Sequence, residues 1–258
     1  MKDEGLITAL LIALAVALFG CTLFTENLDP TSTSKPIVAI KNHPRPELNL
    51  DFSPFDDVGC PSDESGLRYC EEDSLLFVLG CDRIEKPSDL LGGLEPAFPI
   101  AECLFVPLRH PDQPDSIDAE GEYIYRTGGL MPIYVRYVII REGQFQLIQS
   151  EEQFREVFAP VETENEALSY ALALRNLSPY YGIELKPEYE YFVDDLEDTY
   201  IESSPDGYLA HLYYYQFFGC GPHLTYAIDL RVTGQGMIEE MNRQAVYKDP
   251  SEDTLCVD

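Results

Sequence analysis

The chain has 258 residues, enough for one large domain or two small ones, and its 45% apolar and 24% charged composition is that of a globular protein rather than a fibrous or disordered one. Its 46 acidic residues against 17 Lys and Arg give a formal net charge of −29. That balance excludes the basic surface nucleic-acid binding needs and disfavours peripheral binding to anionic lipid head groups, while favouring solubility and cationic partners.

Residues 6–19 read LITALLIALAVALF, an unbroken apolar run. Its length is short for a membrane span and right for the core of a signal peptide. Leu18-Phe19-Gly20-Cys21 follows at its end. These four residues resemble the lipobox of bacterial lipoprotein precursors. The resemblance implies a signal peptide over residues 1–20, cleavage just before Cys21, and lipidation of the Cys21 thiol. The membrane would then be a partner through that N-terminal lipid. Phe19 departs from the family's small residue at that position, and Met1-Lys2-Asp3-Glu4 offsets one Lys with two acids. Two other readings of the residues stay open. Ala15-Val16-Ala17 is a signal-peptidase pattern that would free a soluble protein, and the apolar run could remain as an uncleaved anchor. All three place the body outside the cytosol.

Residues 21–59 read as a disordered tether. The stretch TENLDPTSTSKP is polar and small, and Pro30, Pro36, Pro44, Pro46 and Pro54 recur without a period. Such a composition offers little apolar area against the entropy of ordering.

Residues 60–122 form a cysteine-rich segment. With Cys21 set aside, Cys60, Cys70, Cys81, Cys103, Cys220 and Cys256 remain of the seven cysteines. An even remainder in an exported chain points to three disulfides. Proximity pairs Cys220 with Cys256 and the other four among themselves, in an order that sequence leaves open. The spacings do not match the CxxC pairs of structural zinc. Within this segment the apolar run Leu75-Leu76-Phe77-Val78-Leu79 reads as a short strand, and residues 112–122 as an exposed acidic loop.

Residues 123–258 read as an α+β domain, with residues 60–258 as one domain the alternative division. Strands are expected over 123–126 and 132–141, then a turn at Glu142-Gly143-Gln144 into a strand over 145–148. Ser150 with Gln153, and Thr163 with Glu166, have the spacing of capping boxes that open two helices. The first ends at Pro160. The second runs to about Asn176, with Ala167, Leu168, Ala171, Leu172 and Leu174 as its apolar stripe. Strands follow over 189–193, 199–203, 208–218 and 237–247, with Ser204-Pro205-Asp206-Gly207 as a turn. Tyr226, Ile228, Leu230 and Val232 alternate with Ala227, Asp229 and Arg231, as in a half-buried antiparallel strand. The expected fold is an antiparallel sheet with a helix packed on one face, preceded by the disulfide-rich segment. Over about residues 161–248 this element order is similar to the PepSY and cystatin-like plans.

The chemistry legible in the sequence is sparse. There is no G-x-S-x-G, H-E-x-x-H, Walker or G-x-G-x-x-G motif, so no catalytic residue and no cofactor is expected. Asp194, Asp195, Glu197 and Asp198 carry the hard oxygens that calcium takes, without the EF-hand spacing, and an acidic loop is the plainer reading. Tyr213, Tyr215 and Phe217 fall on one side of the aromatic strand as a candidate ligand face for a protein, peptide or glycan. His211 reads as a structural residue. Cys220-Gly221-Pro222-His223 reads as a disulfide beside a turn rather than a catalytic Cys–His pair, whose geometry sequence adjacency does not provide. The reading that results is a non-catalytic binding module at the cell envelope. An extracytoplasmic hydrolase using acidic residues, or an inhibitor of a secreted enzyme, stands as the alternative.

Overall fold

A computed structural model describes residues 38–107 and 123–257. The signal peptide, Cys21, the tether up to residue 37 and the acidic loop 112–122 lie outside the described residues. Among the described residues no helix is long and apolar enough to cross a membrane.

The tether reading through residue 59 is corrected from Val38 onward. Strand β1 (Ala39–Lys41) pairs with a later strand, and Val38, Leu50 and Phe55 are buried. Single apolar residues spaced between the prolines anchor this segment, so the prolines set an extended path without preventing packing.

The cysteine-rich segment contributes β2 (Arg68–Tyr69), helix α1 (Leu75–Val78), β3 (Arg83–Glu85) and β4 (Ile100–Phe105). The apolar run at 75–79 is therefore one helical turn, not a strand. Ser74 caps it by accepting the Phe77 N–H at 3.2 Å; Leu76 is buried and Phe77 half-buried against the satellite core, while Leu75 and Val78 are exposed. A short apolar run carries no period that separates the two states, and the capping serine decides for the helix. Disulfides join Cys60 to Cys70 and Cys81 to Cys103. All four sulfurs lie in a satellite core with Phe55, Leu76, Ile84 and Val138.

Strands β5 (Tyr125–Thr127), β6 (Ile133–Arg141) and β7 (Gln144–Ile148) complete a first antiparallel sheet in the order β2-β3-β4-β6-β5, with β7 also on β6. Ile100 of β4 lies opposite Ile139 of β6, so one sheet crosses the expected boundary at residue 122. Residues 38–258 cluster as a single compact unit, which takes in residues 38–59 together with the cysteine-rich and later segments. At the β6–β7 hairpin both Glu142 (φ 53°) and Gly143 (φ 76°) take positive φ, as a two-residue type I′ turn requires.

Both expected helix starts are present. Ser150 caps α2 (Glu151–Phe158), and Thr163 with Glu166 forms a reciprocal capping box at α3 (Glu164–Leu174). Every residue of α3 from Glu166 to Leu174 is buried, so the helix is covered all round rather than along one stripe. Its core is shared with Tyr137, Ile139 and Ile148 of the first sheet and with Ala210, Leu212, Ile228 and Leu230 further along the chain.

Those last four belong to a second antiparallel sheet. It is built from β8 (Glu190–Tyr191), β10 (Tyr200–Ser204), β11 (Gly207–Tyr215), β13 (Leu224–Val232) and β14 (Ile238–Lys248) in the order β10-β11-β13-β14-β8. The turn before β11 requires glycine. Gly207 has φ 132°, and a Cβ there would stand 2.2 Å from the Val232 carbonyl oxygen. Strand β9 (Asp195–Glu197) pairs in parallel with β1 outside this sheet. The aromatic strand ends at Tyr215, and β12 (Gly219–Cys220) pairs instead with β15 (Cys256–Val257), placing Cys220 opposite Cys256 for the third disulfide. The architecture is mostly β, with antiparallel sheets, three disulfides and a buried helix. Three disulfides in one body are the signature of an oxidising, extracytoplasmic compartment.

One polar network sits inside the first sheet. Glu102 of β4 hydrogen-bonds with Tyr125, which hydrogen-bonds with Tyr137, whose hydroxyl donates to the Ala173 carbonyl of α3 at 2.9 Å. Burial, then repulsion from Glu85, pushes the Glu102 carboxyl from the usual 4.5 to about 7. A carboxyl raised in the folded state holds its proton where the unfolded chain has lost it. Stability should therefore fall as pH rises from about 4.5 to 7, by on the order of 3 kcal/mol. Chemical denaturation across that window should show the decline, and Glu102→Gln should flatten it. An unchanged slope in the variant would contradict the assignment.

Candidate functional site

The period-2 pattern of the second sheet sorts its side chains cleanly. Tyr208, Ala210, Leu212 and Tyr214 of β11 face the main core, as do Tyr226, Ile228, Leu230 and Val232 of β13. The intervening residues therefore form the outer face. There the register brings four polar or aromatic residues into one row across four strands. Tyr200 lies opposite His211, His211 opposite Asp229, and Asp229 opposite Asn242.

The row is hydrogen-bonded and stacked. His211 Nδ1 lies 2.6 Å from Asp229 Oδ1, and the Asn242 amide donates to Asp229 Oδ2 at 3.2 Å. The His211 hydrogen bond holds the Asp229 carboxyl below its ordinary value against the opposing effect of burial, with Asn242 assisting. The His211 ring stacks on Tyr200, centroids 5.1 Å apart and 10° from parallel, and meets Tyr213 edge-on. The far face of Tyr200 receives His43, whose Nε2 lies 2.6 Å from Glu197 Oε1. Lys41 pairs with the same Glu197 and lies over the Tyr200 ring at 5.6 Å. Partial burial raises Glu197, but the hydrogen bonds from Lys41 and His43 outweigh it and hold the carboxyl low.

The β1–β9 ribbon forms the wall of this face. Val38 and Leu196 pack on Tyr213, Ala227 and Val246 in a small core of their own. Between ribbon and sheet lies an open cleft of about 420 Å³, with the Tyr200–His211–Asp229–Asn242 row and Gln244 on its sheet side and Asp194, Asp195 and Glu197 along its wall. The polar lining groups are mostly carboxylate acceptors, with the Tyr200 hydroxyl and the Asn242 and Gln244 amides as donors.

The sequence-derived candidates fare unevenly. Asp194, Asp195, Glu197 and Asp198 do not converge on a metal site, and no group of three or more His, Cys, Asp or Glu side chains placed to hold a metal exists among the described residues. The physical reason is that these carboxylates are engaged separately: alternation puts Asp195 and Glu197 on one side of the strand with Leu196 buried on the other, and Glu197 is held by Lys41 and His43. Asp198 is buried and takes backbone N–H groups from His43, Gly182 and Ile183 at 3.0–3.2 Å, which ties three segments together. The aromatic face is also corrected. Tyr213 is fully buried under the ribbon with its hydroxyl donating to the Glu197 carbonyl, Tyr215 donates to Glu252 at 2.6 Å, and Phe217 lies beyond the end of β11. The three present no continuous open face.

His211 and His223 are held in structural contacts. His211 Nε2 is buried without a hydrogen-bond partner among the described residues, so the nitrogen a general base would use is sealed from the cleft. His223 has its two ring nitrogens 2.9 and 3.0 Å from the carbonyls of Gln216 and Leu255. Two acceptors call for two N–H donors, and these bonds raise the imidazole above its ordinary value. Cys220, three residues before it, is in a disulfide.

Sequence reasoning missed His43, Lys41, Tyr200, Asn242 and Gln244. Alternation along residues 226–232 places Asp229 outside the core, but its neighbours follow only from the register of three strand pairs. No family model, curated protein or solved structure matches this chain.

Proposed function

We propose that the protein is an extracytoplasmic binding module, anchored to a membrane by lipid on Cys21, with its ligand site in the cleft between the β1–β9 ribbon and the second sheet. The cleft itself carries this reading. It is a concave site with convergent polar groups, no Ser, Thr or Cys nucleophile among its lining residues, and its one imidazole committed to Asp229 and Tyr200. Its carboxylates seek a ligand rich in hydrogen-bond donors, such as a basic peptide side chain or a glycan hydroxyl, and the net charge of −29 steers anions away. The anchor is supported by arithmetic. Three disulfides account for every cysteine of the seven except Cys21, which closes the lipobox-like Leu18-Phe19-Gly20-Cys21.

Both halves of the proposal are open to test. Cys21→Ala should release the full chain from the membrane fraction or leave it at precursor mass, and unchanged partition and mass would contradict lipidation. For the cleft, the side-chain amide resonances of Asn242 and Gln244 can be followed during titration with oligolysine, a neutral oligosaccharide and oligoglutamate. At least one of the first two should shift them, with Asp229→Asn weakening the effect about tenfold, a loss of roughly 1.4 kcal/mol. Silence with both, or equal shifts with oligoglutamate, would overturn the assignment.

A further inference from the structure

A second cleft, of about 520 Å³, lies beside the first and shares only Leu196 with it among the lining residues. Its character is aromatic. The Tyr189 and Tyr247 rings stack at 5.4 Å, Tyr191 tilts against Tyr247 at 5.9 Å, and Tyr180 lies flat on the buried Tyr213 at 4.7 Å. The rings are held by their own hydroxyls. Tyr191 Oη accepts the Lys186 N–H at 2.7 Å and donates to the Lys186 carbonyl at 3.2 Å. Tyr180 and Tyr189 each stack through one face, which leaves the other face of each to a ligand.

A cation from the chain itself already sits at the hydroxyl rim of Tyr189. The Lys186 ammonium sits 4.7 Å from the Tyr189 centroid and donates to the Tyr189 hydroxyl at 3.0 Å. The negative charges of Glu188 and Asp249 act on the same ammonium. Lys186 is exposed and lies on the surface, so its seat on the ring can be vacated at little cost. Tyrosine faces with nearby carboxylates are the surroundings that attract a desolvated organic cation. Anionic ligands are repelled by the same acids. No group of three or more His, Cys, Asp or Glu side chains placed to hold a metal exists among the described residues.

We propose that this tyrosine cleft is a binding site for an organic ammonium ion, quaternary ammonium above all, and that Lys186 is a built-in competitor for it. The site is separate from the donor-seeking cleft. A quaternary head lacks N–H donors, so its attraction comes from charge over the rings and not from hydrogen bonds.

The test uses the full folded chain and choline as the probe, with 3,3-dimethyl-1-butanol as its uncharged isostere. Ring resonances of Tyr189 and Tyr247 report the site. Choline should bind at least about tenfold more tightly than the isostere. Lys186→Ala, at an exposed position, should tighten choline binding several-fold by removing the competitor. Tyr247→Leu should weaken it, and Asp229→Asn, in the other cleft, should leave it unchanged. Equal binding of the isostere, no gain in Lys186→Ala, or shifts confined to Asn242 and Gln244 would each overturn the proposal.

Discussion

Helix α3 is the member on which both sheets depend. From Glu166 to Leu174 all of its residues are buried, and its side chains share one core with strands of the first and second sheets. A helix buried all round must be small where partners approach closely. Ala167, Ala171 and Ala173 meet that need, and Gly93 lies so near Asn165 and Ser169 that a Cβ there would come within 2.7 Å of each. Most of its polar atoms are satisfied internally, the buried Tyr170 hydroxyl being an exception. The capping box closes the N-terminus, the one Ser169 O–H lies within hydrogen-bond distance of both the Leu90 and Asn165 carbonyls, and the Tyr137 hydroxyl reaches the Ala173 carbonyl. The inner residues Ala210, Leu212, Ile228 and Leu230 of the second sheet lie in the same core as this helix, and the outer face carries the polar row.

Regions with little regular structure are secured by other means. Cys60–Cys70 and Cys81–Cys103 close the short elements before β4, and Cys220–Cys256 closes the C-terminal strand pair. Beside that last bridge, His223 ties the loop after β11 to the C-terminal turn through two carbonyls. Cross-links act here mainly by restricting the unfolded chain, which suits segments that bury little on their own. Asp198 performs an analogous service at the ribbon, where three backbone N–H groups converge on one buried carboxylate. Both clefts are therefore walled by segments fixed through a few specific contacts on a stiff sheet.

Features legible in the sequence are those whose cause is local. Thr163 with Glu166 and Ser150 with Gln153 announce helix starts because the capping bonds span three residues. The alternation along residues 226–232 announces a strand and its buried side. The run at 75–79 misleads because five apolar residues carry no period, and the serine before it decides the outcome. The prolines between residues 36 and 54 mislead in the opposite direction, since Val38, Leu50 and Phe55 each bury fully without forming a pattern. The site itself is non-local. Tyr200, His211, Asp229 and Asn242 are spread over 43 positions of sequence and become neighbours only through three strand registers. His43 joins them from a stretch that reads as linker.

If α3 is the shared core, the two sheets cannot open independently of it. Native-state hydrogen exchange on the folded chain measures this directly through the amides of α3, β6 and β11. The expected result is a single opening free energy common to all three, equal to that of global unfolding. A lower-energy opening of either sheet while α3 stays protected would contradict the account.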